Sequence, residues 1–396
     1  MVDAIDLFGG TWPPSPSSEA CSRVARAFAP GGLGLIFVRG AAMAERETVS
    51  ARATDPGSST ESCPACAQAR LLALSFELGS LDPIARGAIL ASAGVGRDGP
   101  RTATHALSWD DETWCARAVH ANAPHCTGEC VSGATGGGAG RIRELMDDVG
   151  GSLARICAGI AAAADVWLDG SRLGTSSTLP PSALFKSLVS ARAAKARLVM
   201  YAAIGGGGAS GPTVGPATLD EKRPLWQPWH YDFGLFTALT RPAYSRGVRG
   251  CEAPQGAGLI VAGHDRICVP PFDCIAVQAG EAAQLLSWGR LVATPHAVRS
   301  PALAAGADVS RAVLAVFCLP PWGLRLPDGG AAVRAATLAT SEEASRSLPT
   351  DAGVPPLSAR WAGGDGDDAQ TFAQFAKATT AAYYGVGGAQ RDVKRT

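Results

Sequence analysis

The sequence predicts an α+β protein, with a β sandwich or barrel in the second half of the chain and helices before and after it. Three observations carry this. From Leu225 to Leu319 short apolar runs alternate with Gly, Pro and Asp turns, the punctuation of an all-β unit. Ile142, Leu145, Met146, Val149, Leu153, Ile156 and Ile160 recur at helical spacing over about five turns, across Gly150 and Gly151. Leu71, Leu74 and Leu78, widened by Leu72 and Phe76, form a second helical stripe between Cys66 and Leu81.

Taken in order, Ser15 before Pro16 reads as the cap and first residue of a helix to about Ala27, which Gly31 and Gly32 stop. Leu33 to Val38 reads as a strand, then come the helix between Cys66 and Leu81 and the long helix from Ile142. Arg197-Leu-Val-Met-Tyr201 is a further strand. Gly133 to Gly140 and Gly205 to Pro216 lack the side chains to pack and read as surface loops, the second placed where a lid over a site would lie. Residues 323 to about 368, rich in Ala, Gly, Pro and Asp, read as a loose surface wrap. Asp368 then caps a last helix whose Phe372, Phe375 and Tyr383 dock on the β unit.

With 396 residues, 46% hydrophobic and 18% charged, the chain can bury a large core. A formal charge of zero without a Lys/Arg cluster argues against nucleic acid or a membrane surface as partner. The acidic start and the lack of a run of about 18 apolar residues predict a soluble, cytoplasmic protein. Eleven Cys, an odd count without repeated spacing, fit reduced thiols. Cys63 and Cys66, with His125, Cys126 and Cys130, have zinc-ligand character, but without a second ordered pair chance is the better reading.

The chemistry concentrates in Trp229-His230-Tyr231-Asp232-Phe233-Gly234 and Ala293-Thr294-Pro295-His296-Ala297-Val298. Alternation along a strand puts His230 and Asp232 on one face and Tyr231, Trp229 and Phe233 on the other, so the flanking aromatics are expected beneath the site. With His296 from a second strand, they match the 2-His-1-carboxylate set that holds non-heme Fe(II) and leaves positions open. By spacing alone such a set also arises by chance. His264, in a Gly-His-Asp turn, reads as a solvated hairpin residue, and His105, His120 and His125 have no partner at ligand spacing.

The run from Ile275 through Gly280-Glu281, Gln284-Leu-Leu and Ser287-Trp288-Gly289 to His296 resembles the Fe(II)/2-oxoglutarate-dependent dioxygenases of the isopenicillin N synthase-like type. Glu281 stands where they have Asp, and Trp288 where they have Asn, the latter expected at the pocket rim. Val309 to Trp322 resembles the closing strand of that family. The opening Ile5-Asp6-Leu7 and the tail from Thr371-Phe372 to Tyr383-Tyr384-Gly385 extend the likeness over most of the chain.

The resemblance implies a double-stranded β-helix (jelly-roll) barrel at 201–322, a helical and mixed part at 1–200 with a long backing helix, and a 323–396 extension ending in a helix. It implies Fe(II), 2-oxoglutarate and O₂ as cofactor and cosubstrates, and hydroxylation of a small organic molecule. His230, Asp232 and His296 would be catalytic metal ligands, and Arg311 would bind the distal carboxylate of 2-oxoglutarate. Val313 occupies the position of a family hydroxyl donor, and Tyr201 is the expected substitute. Ala297 replaces a frequent Arg, and a small-residue loop widens the spacing between His296 and Arg311. Two alternatives stand beside this: an oxidase of the same fold without 2-oxoglutarate, and a catalytically silent metal- or ligand-binding barrel.

Overall fold

The computed structural model describes residues 1–9, 11–40, 64–99, 101–109, 141–170, 183–203, 224–301 apart from 248, 265 and 272, and 308–384 apart from 327. The two glycine-rich loops, Cys63, His120, His125, Cys126, Cys130 and Gly385 lie outside the described residues. In chain order the elements are β1 (Val2–Asp3), α1 (Ala4–Phe8), α2 (Ser18–Phe28), β2 (Leu35–Arg39), α3 (Pro64–Ser80), α4 (Pro83–Ser92), β3 (Gly96–Gly99), β4 (Thr102–Ser108), α5 (Ile142–Gly170), α6 (Leu184–Ala191) and β5 (Ala193–Tyr201). There follow β6 (Leu225–His230), β7 (Phe236–Leu239), β8 (Ala243–Arg246), β9 (Arg249–Cys251), β10 (Gly258–Val261), β11 (Cys274–Ala279), α7 (Glu281–Leu286), β12 (His296–Arg299), β13 (Val309–Cys318), α8 (Ala331–Ser345) and α9 (Phe372–Tyr384).

Strands from both halves of the chain form one ten-stranded sheet in the order β1-β2-β11-β7-β13-β5-β4-β3, with β8 on β13 and β9 on β8. β13 is its axis. One edge pairs with β5 from Arg311↔Tyr201 to Cys318↔Ala194, and the other is shared between β8 and β7. Thr240 bridges the gap between these two: its backbone N–H donates to the Leu314 carbonyl and its Oγ1 accepts from the Leu314 N–H, both at 3.0 Å. A second sheet, β10-β12-β6, is antiparallel and carries the two candidate histidines as direct neighbours, His296↔His230.

The period-2 pattern of the central strands sorts their side chains. Ala312, Leu314, Val316 and Cys318 of β13, with Ala196 and Leu198 of β5 and Phe236 and Ala238 of β7, enter the main core beneath α5. Arg311, Val313, Ala315 and Phe317, with Arg197, Val199, Tyr201, Thr237 and Leu239, line a cavity on the other face.

α5 passes unbroken through Gly150 and Gly151, although glycine costs about 1 kcal/mol in a helix. Close packing is the reason: a Cβ on Gly150 would come within 2.7 Å of Leu107 Cδ1. By length and composition α5 could cross a membrane, but 83% of its most apolar window is buried in the protein, and it is a core helix. The described cysteines Cys21, Cys157, Cys251, Cys268, Cys274 and Cys318 are free thiols.

Several sequence expectations change. α2 is capped by Ser17, not Ser15, its hydroxyl accepting from the Ala20 N–H at 3.1 Å. The stretch after 323 is not a loose wrap: Ala331–Ser345 is helical, as its Ala-rich composition favours, and Arg334 reaches the Trp361 carbonyl at 2.8 Å. The last helix is capped by Thr371, not Asp368. Thr371 Oγ1 accepts from the Gln374 N–H and Gln374 Oε1 from the Thr371 N–H, a reciprocal capping box.

Candidate metal centre

β6 ends at His230, and the chain turns through Asp232 and Gly234 before β7 begins. This turn is fixed from α7. The backbone N–H groups of Gly280, Glu281 and Ala282 donate to the carbonyls of Leu235 (2.9 Å), Asp232 (2.8 Å) and Gly234 (3.0 Å). The approach is so close that a Cβ on residue 280 would meet the Gly234 carbonyl oxygen at 2.2 Å, so only glycine fits there.

Tyr231, between the two candidate ligands, points away from them as expected. Its hydroxyl lies 2.8 Å from Ser345 Oγ on α8, and its backbone N–H donates to Tyr383 Oη on α9 at 3.0 Å. Burial pushes the Tyr231 phenol up to about 12.

Glu281 forms a fully buried two-pronged ion pair with Arg360. Arg360 also donates to Thr379 Oγ1 and to the Pro355 carbonyl, each at 3.2 Å. A carboxylate and a guanidinium can share the interior because nearly all their polar atoms find partners. Arg360 was missed from the sequence, since nothing local marks a lone Arg between Ala359 and Trp361 as the partner of a residue 79 positions earlier.

On the second sheet, Gln284 Oε1 accepts from the Ala293 N–H at 2.9 Å and Ser287 Oγ from the Leu291 N–H at 2.9 Å, which sets the entry of β12 and hence His296. Trp288 adopts a left-handed backbone, φ 59°, and its ring packs on Gly329. It is not among the residues lining the cavity, which corrects its expected place at the rim.

His230 Nε2 lies 4.0 Å from Asp232 Oδ1 and His296 Nε2 lies 3.8 Å from Asp232 Oδ2. One ligand atom from each residue falls within 4.8 Å of the other two, and the imidazole centroids are 4.3 Å apart. The two carboxylate separations fit the about 4.2 Å that two donors at about 2.1 Å from one ion can span. Both Nδ1 atoms face backbone carbonyls, Pro228 at 2.8 Å and Thr294 at 3.2 Å. A carbonyl only accepts, so each Nδ1 carries the proton and each Nε2 presents a lone pair to the shared centre. Burial, and then the adjacent His296, lower the His230 imidazole to about 4, against the pull of Asp232, so it is neutral near pH 7. Two imidazoles and one carboxylate, on one side of a common point, are the donor set that suits Fe(II) with open positions.

These three residues line a cavity of about 200 Å³ between the sheets, together with Arg311, Tyr201 and Val313. Arg311 is 4% exposed, and its Nε and Nη1 have no hydrogen-bond partner. Its guanidinium lies over the Tyr201 ring at 5.4 Å, and Tyr201 stacks in turn on Trp226 at 5.8 Å. Burial raises the Tyr201 phenol, with Arg311 and Arg197 opposing. Tyr201 thus offers Arg311 its π face. Beside Arg311 in the ladder stands Tyr244, whose hydroxyl is buried and without a partner. Sequence reading passed over Tyr244 and Arg197; for Arg197 the signal was available, because it shares the Tyr201 face of β5.

Phe233 lines the cavity, contrary to the expectation that it packs beneath the ligands, because the chain leaves strand geometry after His230. His105 hydrogen-bonds Asp147 on α5 at 2.8 Å and joins no group of metal-ligand character among the described residues. His264 is exposed, as expected.

No protein-family model matches the chain, and no curated protein sequence matches it. Among solved structures it is similar to a rice dioxygenase for auxin oxidation at 18% identity and TM-score 0.45, covering 81% of this chain and 82% of that one. It is similar to a full-length Neurospora crassa protein in complex with alpha-KG at 13% identity and TM-score 0.45, with 82% and 86% covered. A third likeness is to a putative 2OG-Fe(II) oxygenase family protein from Caulobacter crescentus, at 13% identity and TM-score 0.44, with 91% of each chain covered.

Proposed function

We propose that the protein is an Fe(II)- and 2-oxoglutarate-dependent dioxygenase that oxidises a small organic molecule, most simply by hydroxylation. The observation that carries this reading is the convergence of His230 Nε2, His296 Nε2 and the Asp232 carboxylate at a cavity that also holds the buried, incompletely bonded guanidinium of Arg311. The two sheets facing across this cavity are read as the halves of a double-stranded β-helix. On this reading residues 201–322 carry the candidate ligands and Arg311, 1–200 support them, and 323–396 form an outer wall.

His230, Asp232 and His296 would hold the iron, with their tautomers set by the Pro228 and Thr294 carbonyls. Bound there, iron supplies O₂ activation coupled to decarboxylation of 2-oxoglutarate to succinate. Arg311 binds the distal carboxylate through its free N–H groups, a charge-assisted contact that lysine could not match in geometry. Val313 brings no hydroxyl to that end, and Tyr201, which lines the cavity with its ring face against the Arg311 guanidinium, is the substitute we assign. Leu239, Leu259 and Val298 are apolar walls that limit water around the reacting groups.

The test is an anaerobic titration of the iron-loaded protein with 2-oxoglutarate, followed by admission of air. A charge-transfer absorption on titration and succinate afterwards are the expected results. Neither signal, with iron bound, would leave a silent binding barrel; substrate-dependent O₂ uptake without succinate would select the oxidase without 2-oxoglutarate.

A further inference from the structure

The cavity has a second polar end that the reading above does not use. Arg197 on β5 is opposite Ala315 of β13, four residues from Arg311, a separation of about 14 Å along the strand. The two guanidinium groups also diverge. Arg311 stays over Tyr201 in its own row, whereas Arg197 leans away from it and lies over the Phe317 ring at 5.8 Å. The four C–C bonds of a five-carbon diacid span about 5 Å, so a cosubstrate held between Arg311 and the metal centre does not extend to Arg197.

The row that Arg197 leans towards continues with polar groups. Phe317 is the register partner of Thr237, and Thr237 that of Gln278. Thr237 and Gln278 are each 2% exposed, both line the cavity, and Thr237 Oγ1 and Gln278 Oε1 have no hydrogen-bond partner. A buried polar atom without a partner costs about 1–3 kcal/mol, a cost that a ligand supplying the missing bond removes. Phe233 and Leu319 border this end with apolar surface.

We infer that the substrate is an organic carboxylate with an apolar body and an N–H or O–H donor, its acid group meeting Arg197 and its donor meeting Gln278 Oε1. This rests on the oxygenase reading only in calling the ligand a substrate; the acid-binding end itself stands on Arg197, Thr237 and Gln278. Arg197 and Gln278 are then specificity-determining residues. Thr237, with a hydroxyl that can donate or accept, serves the same polar edge.

The experiment is calorimetric. Protein loaded with Mn(II) is first titrated with 2-oxoglutarate and then with matched acids and amides: phenylacetate and phenylacetamide, N-acetylphenylalanine and N-acetylphenylalaninamide. At least one acid is expected to bind about tenfold or more tightly than its amide. Arg197→Gln should abolish that preference without changing 2-oxoglutarate affinity, and Arg197→Lys should retain part of it, which guards against a folding defect. Gln278→Leu should weaken N-acetylphenylalanine more than phenylacetate. Equal binding of every acid and amide, no binding up to the millimolar range, or loss of 2-oxoglutarate affinity in Arg197→Gln would overturn the inference. If 2-oxoglutarate fails to bind while the acid preference persists, the oxygenase reading falls and the anion end stands.

Discussion

The backbone N–H of Tyr231 donates to the hydroxyl of Tyr383, 3.0 Å away and 152 positions later in the chain. The C-terminal helix therefore holds the segment between two candidate metal ligands. Tyr383→Phe removes this acceptor and leaves a buried N–H, at a cost of about 1–3 kcal/mol. A several-fold loss of metal affinity is expected, read by competition with a chromogenic chelator. Unchanged affinity would show that α9 does not act on the site.

His230→Ala and Asp232→Ala should each lose bound iron, measured as metal per chain after reconstitution. Arg311→Ala should keep its iron and bind 2-oxoglutarate about 10- to 100-fold more weakly, the equivalent of a charged hydrogen bond of about 1.5–3 kcal/mol. Full metal content in the ligand variants would refute the assignment.

Arg360→Ala leaves the Glu281 carboxylate buried beside Asp232 without its cation, and a drop of about 3–5 kcal/mol in unfolding free energy is expected from urea denaturation. Burial already pushes the Glu281 carboxyl up, with Arg360 as the opposing influence. The pair variant Glu281→Gln with Arg360→Met should recover much of the loss, because it leaves no uncompensated charge. A pair variant as unstable as the single one would contradict this account.

Gly280→Ala places a methyl group against the Gly234 carbonyl and, at 3.0 Å, the Asp232 carbonyl. Relief requires the ligand turn to move, so both thermal midpoint and metal affinity should fall. A metal affinity equal to wild type would mean that the turn tolerates displacement.

For the metal-free protein, His230 titrates at about 4 folded, against an ordinary value near 6.5. Between these values the unfolded chain takes a proton that the folded one refuses. The contribution of this group is complete above about pH 6.5 and lost as pH falls towards 4, up to about 3 kcal/mol in all. Urea midpoints at pH 7 and pH 5 should diverge more in wild type than in His230→Gln; equal divergence would assign the acid sensitivity elsewhere.

The helices were legible where periodicity is long and local. The stripe from Ile142 to Ile160 and the run from Leu71 to Leu78 needed only residues a few positions apart, and both appear as helices. The caps were harder: Ser17 and Thr371 compete with nearby residues of the same chemistry, and backbone geometry decides between them. The helix over Ala331–Ser345 was lost because its composition looked like linker and its apolar face is weak.

By itself the sequence determined the kinds of donor and their alternation: His230 and Asp232 two apart, His296 beyond a turn, and Arg311 and Arg197 on the inward positions of their strands. Tertiary structure decided the rest. The pairing of His296 with His230 and the gathering of Arg197, Phe317, Thr237 and Gln278 into one row depend on sheet register, and the clamp of Arg360 on Glu281 depends on the C-terminal segment packing against α7. Register is fixed by burying one face of each strand, a property of the assembled sheets that no local segment contains.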